Sequence, residues 1–397
     1  MIAIDTTPAF ARLSEQSMEF PMRIAQCASI LLLGFAATLY AQTSVSAAST
    51  TTASPTVAYV YVGQNTSPEK VSAFAVSSNG VLSTVSGSPF AARSQSLAVT
   101  SGYLFGTDGT YITTYARGSN GALHAASTIS AIAHNDTPTG SGAGSLTLDH
   151  TGSTLYAAEF EFQGADNDAY AAFSVGSGGL LKFQSNSAIS VDYSSELQFS
   201  PNNLFAYSSG CYFAGWELNA FRRAASGQIA AFNPAAAMPS NPNGDLLCPV
   251  ATAVSAKGYL AVLYFDESTS PIRPDIAIYR IVSSGDLVLV SSAVEANNLQ
   301  AMNPDALRFD PTGAYLVVAG TGIDYFLLNS NGTLARIGDA LDSSIKFTDV
   351  RWDKAGHLYA ISAASLHVFT SHNMGGLTQT ATRPLTNATS LAVLPVH

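Results

Sequence analysis

The chain has 397 residues, of which 47% are hydrophobic and only 11% charged, and its formal net charge is −10. That length allows one large domain or two or three ordinary ones, and so few charges among so much Ser, Thr, Gly, Ala and Tyr suit a β-rich exported protein better than a helical cytosolic enzyme. The acidic balance excludes the basic footprint of a nucleic-acid binder.

In chain order, the first feature is a targeting segment. Arg23 precedes an apolar stretch, SILLLGFAATLY from Ser29 to Tyr40, which is too short to span a bilayer comfortably. Small residues follow in SVSAAS, Ser44 to Ser49. This is the order of a secretory signal peptide, with cleavage after Ala47 or Ala48; a membrane anchor is the competing reading. The residues before Met18 or Met22 add nothing to a signal, so either methionine can be the true start. Cys27 lies before the apolar stretch, whereas a lipoprotein cysteine would follow it. Residues 1–47 are thus expected to be signal and upstream extension, and 48–56 a flexible linker. No second stretch is long and apolar enough for a membrane span.

From Val57 onward two signals alternate. One is a strand, a polar turn and a second strand: SLTLDHTGSTLYAAE from Ser145, ELQFSPNNLFAYSSG from Glu196, ALRFDPTGAYLVVAG from Ala306 and DVRWDKAGHLYAISA from Asp349. First strands of this kind begin near Ser96, Ser145, Glu196, Ala251, Ala306, Asp349 and Ser390. The other is a hairpin turn such as SNGVL or SSGDL, centred on Gly80, Gly121, Gly179, Gly227, Gly285, Gly332 and Gly376. Glycine there supplies the positive φ that tight hairpins need. Each repeat of roughly 40 to 55 residues therefore holds four short strands, the mark of a propeller blade. The chain enters at VAYVYVG (Val57 to Gly63), a second strand with no first, and ends at SLAVLPV (Ser390 to Val396), a first strand with no second. Residues 57–397 are therefore expected to form an all-β, seven-bladed β-propeller, closed by pairing the N- and C-terminal strands in one blade. The stretch VATAVSAKGYLAVLYF (Val250 to Phe265) reads as the least regular blade.

These blades resemble the lactonase family of seven-bladed propellers, which includes bacterial 6-phosphogluconolactonase and the cycloisomerase of carboxymuconate. The resemblance rests on FDPTGAYLVVAG, LDHTGSTLYAAE and the NGxL hairpins, repeat motifs that specify fold better than activity. It implies a His near the start of an innermost strand, often after Pro-Arg, with a Glu ending a second strand and Arg residues nearby. Here none of the seven first-strand starts is His, and Pro304-Asp305-Ala306 stands where Pro-Arg-His would. Only LYAAE, ending at Glu159, matches the Glu-bearing strand, which makes Glu159 the candidate catalytic acid or base. A phosphorylated substrate is disfavoured, because a phosphate wants a basic cluster and 17 Lys and Arg serve the whole chain.

A four-stranded meander puts two sets of connections on opposite faces. The irregular sequence falls on one of them, and long loops on one end of a rigid scaffold are where binding usually lives. The first strands, which line the central channel, carry Glu196, Gln198, Arg308, Asp349 and Arg351. With Asp305 and His134 these are the candidate ligand-binding residues. A polar, ligand-binding throat and a set of ion pairs bridging the blades are both open readings of them. The ADND stretch (Ala165 to Asp168) lacks the spacing and distant Glu of a calcium loop, so neither metal nor other cofactor is expected.

Cys211 and Cys248 are the cysteines left after signal removal. They fall at neighbouring connections on one face, where a disulfide closing roughly 38 residues is attainable, and the bridge would tie down MPSNPNGD (Met238 to Asp245). The expectation is an exported monomer, periplasmic or secreted, with a degenerate lactonase-like site that binds a small molecule or glycan on its loop face. The alternative is an active hydrolase or isomerase of lactone-like small molecules. Neither nucleic acid nor stable membrane insertion is expected.

Overall fold

A computed structural model describes residues 54–131, 142–160, 169–188, 196–212, 215–234, 247–266, 273–291, 299, 302–372 and 376–396. All belong to one compact unit, Ala53–His397. The proposed signal segment, His134 and the ADND stretch lie outside the described residues.

Seven antiparallel sheets form the blades of a β-propeller. The first blade holds both ends of the unit: the C-terminal strand Ala388–Pro395 is innermost and pairs with Thr56–Gln64, which Lys70–Ser77 and Leu82–Thr84 then follow outward. The register places Tyr61 opposite Ala392 and Val62 opposite Leu391, so the closure expected from the phase of the repeat is the one observed. The second to seventh blades begin with Ser96–Val99, Gly142–Leu148, Gln198–Phe199, Leu247–Val254, Met302–Phe309 and Asp349–Trp352.

The ring is held by what lies between blades. Seven clusters of buried apolar side chains are present among the described residues, and each joins two neighbouring blades. On Thr56–Gln64, Tyr59 and Tyr61 face the second blade while Ala58, Val60 and Val62 face the seventh; this is the period-two alternation of a strand. Because both faces are covered, second strands such as His357–Ser362 are buried along their whole length, whereas the outermost Leu377–Pro384 is largely exposed.

Both repeated phrases have a physical reason. In the first, the aspartate after the innermost strand folds its own turn. Asp310 Oδ1 accepts from the amides of Ala314 (2.9 Å) and Tyr315 (2.8 Å), and Asp353 Oδ1 from Ala355 and His357 (2.8 and 2.9 Å). This is an Asx turn, which lets a short polar side chain stand in for missing backbone partners. In the second, the hairpin glycine docks on the blade before it. Tyr61 Oη donates to the carbonyl of Gly121 (3.0 Å), and Tyr207 Oη to that of Gly285 (2.7 Å). Gly285 has φ +89°, and a Cβ there would lie 2.3 Å from the Phe205 ring.

The fifth blade, expected to be the least regular, is a full four-stranded meander. The outer edge is split instead in the first blade, where Leu82–Thr84 and Phe90–Ala91 both pair with Lys70–Ser77, and in the sixth. Its second and third strands run together as Tyr315–Leu328, and its outer edge is split between Leu334–Arg336 and Leu341–Lys346. The chain reverses tightly between the second and third strands at Thr321–Gly322, with Gly322 at φ +98°.

Cys211, on Phe205–Tyr212, and Cys248, on Leu247–Val254, form a disulfide with Cα atoms 5.2 Å apart. Cys248 lies one residue into the innermost strand rather than in the connection before it, so the bond ties the fourth blade directly to the fifth. MPSNPNGD lies outside the described residues.

Candidate functional site

Residues of the innermost strands line a cavity of about 250 Å³ on the channel. Every blade contributes to its lining, through Ser390, Ser96, Ser145, Glu196, Thr252, Arg308 and Asp349 in ring order. These residues, on or beside the innermost strands, are brought together here because a propeller converges those strands on one axis.

The charges on those strands meet across the channel. Glu196 Oε2, from the fourth blade, accepts from Arg308 of the sixth and from Arg351 Nη2 of the seventh, the latter at 2.9 Å. The guanidinium groups are anchored from behind: Arg308 Nη1 donates to the Leu307 carbonyl (2.9 Å) and Arg351 Nε to that of Leu391 (3.3 Å). Arg351 Nη1 approaches Asp349 Oδ1 to 3.2 Å, yet it is buried and makes no aligned hydrogen bond.

Asp349 carries the perturbed titration of the site. Burial pushes its carboxyl up to about 7; Arg308 opposes that rise and Glu196 adds to it. Its side chain is 17% exposed, and Oδ1 accepts from the Val350 amide at 2.8 Å. Glu196, by contrast, is held as the counter-ion of two arginines.

Two further side chains mark the cavity. Ser145 Oγ and Thr252 Oγ1 are buried there without a hydrogen-bond partner. Buried hydroxyls are ordinarily satisfied, so these two are exceptions. The other serines of the lining are engaged: Ser390 Oγ donates to the Ser94 carbonyl (2.6 Å), and Ser96 Oγ accepts from the Leu146 amide (2.9 Å).

Of the residues expected from sequence, Glu196, Arg308, Asp349, Arg351 and Asp305 line this one cavity. Asp305 stands at its rim, 48% exposed, with Lys346 Nζ 2.6 Å away. Gln198 lies on its short strand opposite Tyr207, half-buried. Glu159 occupies a strand position opposite Ala143 and Ala169; its side chain is outside the described part of the chain. The ion pairs bridge blades, and the same groups line the cavity. Sequence reasoning missed Ser145 and Thr252 as unpartnered hydroxyls. Their positions in first strands were legible, but their lack of partners is a tertiary property. No cluster of His, Cys, Asp and Glu suited to a metal occurs among the described residues.

The chain is a seven-bladed propeller, a fold it shares with solved lactonase-like structures. The periplasmic gluconolactonase PpgL of Pseudomonas aeruginosa superposes with a TM-score of 0.63 at 16% identity, over 85% of this chain and 99% of that one. A putative 6-phosphogluconolactonase from Bacteroides fragilis gives 0.61 at 14% identity, over 85% and 98%. A protein from Lactobacillus plantarum gives 0.62 at 12%, over 86% and 100%. No protein-family model and no curated protein sequence matches the chain.

Proposed function

We propose that the protein binds a small polyhydroxylated lactone, or the hydroxy acid it opens to, in the axial cavity. The observation that carries this reading is the single cavity to which all seven blades contribute, with anchored guanidinium groups, a near-neutral carboxyl and two unpartnered hydroxyls on its wall. At about 250 Å³ it suits one small ring, being below the usual range of about 300–1,000 Å³ for drug-sized ligands. A glycan would reach it with a terminal residue at most. Arg308 and Arg351 are both committed to Glu196, which favours an unphosphorylated ligand. The likeness to propellers described as gluconolactonases supports the ligand class by analogy of fold. The second reading, turnover rather than binding alone, is favoured by the pair of carboxyls in unequal environments.

Calorimetric titration with glucono-1,5-lactone and with gluconate tests the reading. Saturable binding that weakens at least tenfold in Arg308→Met is expected; heat of dilution alone for both ligands would end the proposal.

Export fits the same reading. The Cys211–Cys248 bond belongs to an oxidising compartment, and N-terminal sequencing of exported protein should find a start near Ala48 or Ser49.

A further inference from the structure

We propose that Asp349 is the proton-transfer group of the axial cavity, acting on a water that attacks a lactone carbonyl, with Arg351 Nη1 as donor to the oxyanion that forms. This rests on the reading that the cavity holds a lactone.

The argument is one of elimination among groups that meet in one place. Glu196 is held through a single oxygen by two guanidinium groups, and turning that oxygen toward a bound water would break both pairs. Arginine remains charged at any working pH and cannot act as a base. Asp305 stands at the rim against Lys346. The first blade packs against Asp349 with Ser390 and Leu391, neither of which titrates. Among the described charged groups of the lining, that leaves Asp349. It lies inside the cavity, and its proton affinity sits where a general base works at neutral pH.

Arg351 supplies the complementary part. Its Nη2 and Nε are engaged with Glu196 and the Leu391 carbonyl, so the guanidinium plane is fixed. Its Nη1 is buried without an aligned acceptor, 3.2 Å from Asp349. A preorganised donor with an unspent hydrogen beside the base is the arrangement that stabilises charge developing in the transition state.

The step balances without any further reagent. A water oxygen bonds to the lactone carbonyl carbon while its proton passes to the Asp349 carboxylate. The carbonyl oxygen becomes an oxyanion facing Arg351 Nη1. As the ring C–O bond breaks, Asp349 returns the proton to the departing ring oxygen, leaving a hydroxy acid and the original carboxylate.

The test is steady-state hydrolysis of glucono-1,5-lactone, corrected for the spontaneous rate, on the full mature chain. Wild type should show kcat rising with pH and levelling above about 7. Asp349→Asn should lose kcat by about 10²–10⁴-fold with KM changed little and the pH dependence flattened. Asp349→Glu should restore part of the rate, and Arg351→Met should lower kcat by a larger factor than it raises KM. An Asp349→Asn protein that melts cooperatively, no lower than wild type, and keeps its kcat overturns the assignment while leaving the ligand reading intact. Wild type that binds gluconate but does not exceed the spontaneous rate also overturns it. Wild type that binds neither lactone nor gluconate overturns both.

Discussion

Two residues show how single side chains are chosen by what surrounds them. Gly285 combines φ +89° with an approach of its missing Cβ to 2.3 Å from the Phe205 ring. Alanine there adds backbone strain and a clash with a neighbouring blade, and each carries a cost of about 1–3 kcal/mol. Gly285→Ala is expected to lose roughly 2–4 kcal/mol in denaturant unfolding; an unchanged midpoint would mean that the hairpin does not dock as described. Asp349 behaves in the opposite way. Its folded pKa is raised to about 7, above an unfolded value of about 3.9. Below about pH 4 both states are protonated and the group contributes nothing. As pH rises to about 7 the unfolded chain ionises first, so the native state loses ground, and the deficit is complete above about 7. Asp349→Asn should therefore be more stable than wild type at pH 8 by a few kcal/mol, with the difference vanishing near pH 4. Melting at the two pH values checks both the sign and the window, and a site that costs stability is what a functional carboxyl predicts.

At the level of elements, the inter-blade joint is the unit of stability. The fourth and fifth blades share the cluster around Tyr207, Leu260, Val262 and Tyr279 and are also crosslinked by Cys211–Cys248, 37 residues apart. Closing a loop of that length removes denatured-chain entropy worth about 4 kcal/mol in the simple model. Reduction, or Cys211→Ser with Cys248→Ser, should lower the unfolding free energy by about 2–4 kcal/mol without unfolding the ring, because the apolar joint remains. A double variant indistinguishable from wild type in urea would show that the bond adds nothing to that joint.

For the whole molecule, closure decides whether the other interfaces survive. Ala388–Pro395 supplies the innermost strand of the first blade and presents Ala388 and Leu391 to the cluster shared with the seventh. Stopping the chain at Thr389 uncovers the edge of Thr56–Gln64 and opens two apolar faces, a far larger loss than trimming a terminus usually brings. The truncated chain should fail to give a cooperative melt, or melt at least 15 °C lower. It should also lose the cavity, since Ser390 lines it. A melt like that of the full chain would contradict ring closure as the source of stability.

The blade was readable from sequence because its determinants are local. Alternation, the Asx aspartate of FDPTG and DKAG, and the positive-φ glycine of SNGVL all act within a few residues, and the phase of the repeat then required the two end strands to pair. The fifth blade was misjudged as the least regular, because regularity depends on how the strands pair, which VATAVSAKGYLAVLYF does not show by itself. The site was legible only as a set of scarce charges on first strands. Which of them meet was decided by the ring, which brings Glu196 to Arg308 and Arg351 across 112 and 155 residues of chain. The proton affinity of Asp349 and the unpartnered hydroxyls of Ser145 and Thr252 were likewise set by tertiary structure, since desolvation and missing partners exist only once seven blades have closed around one axis.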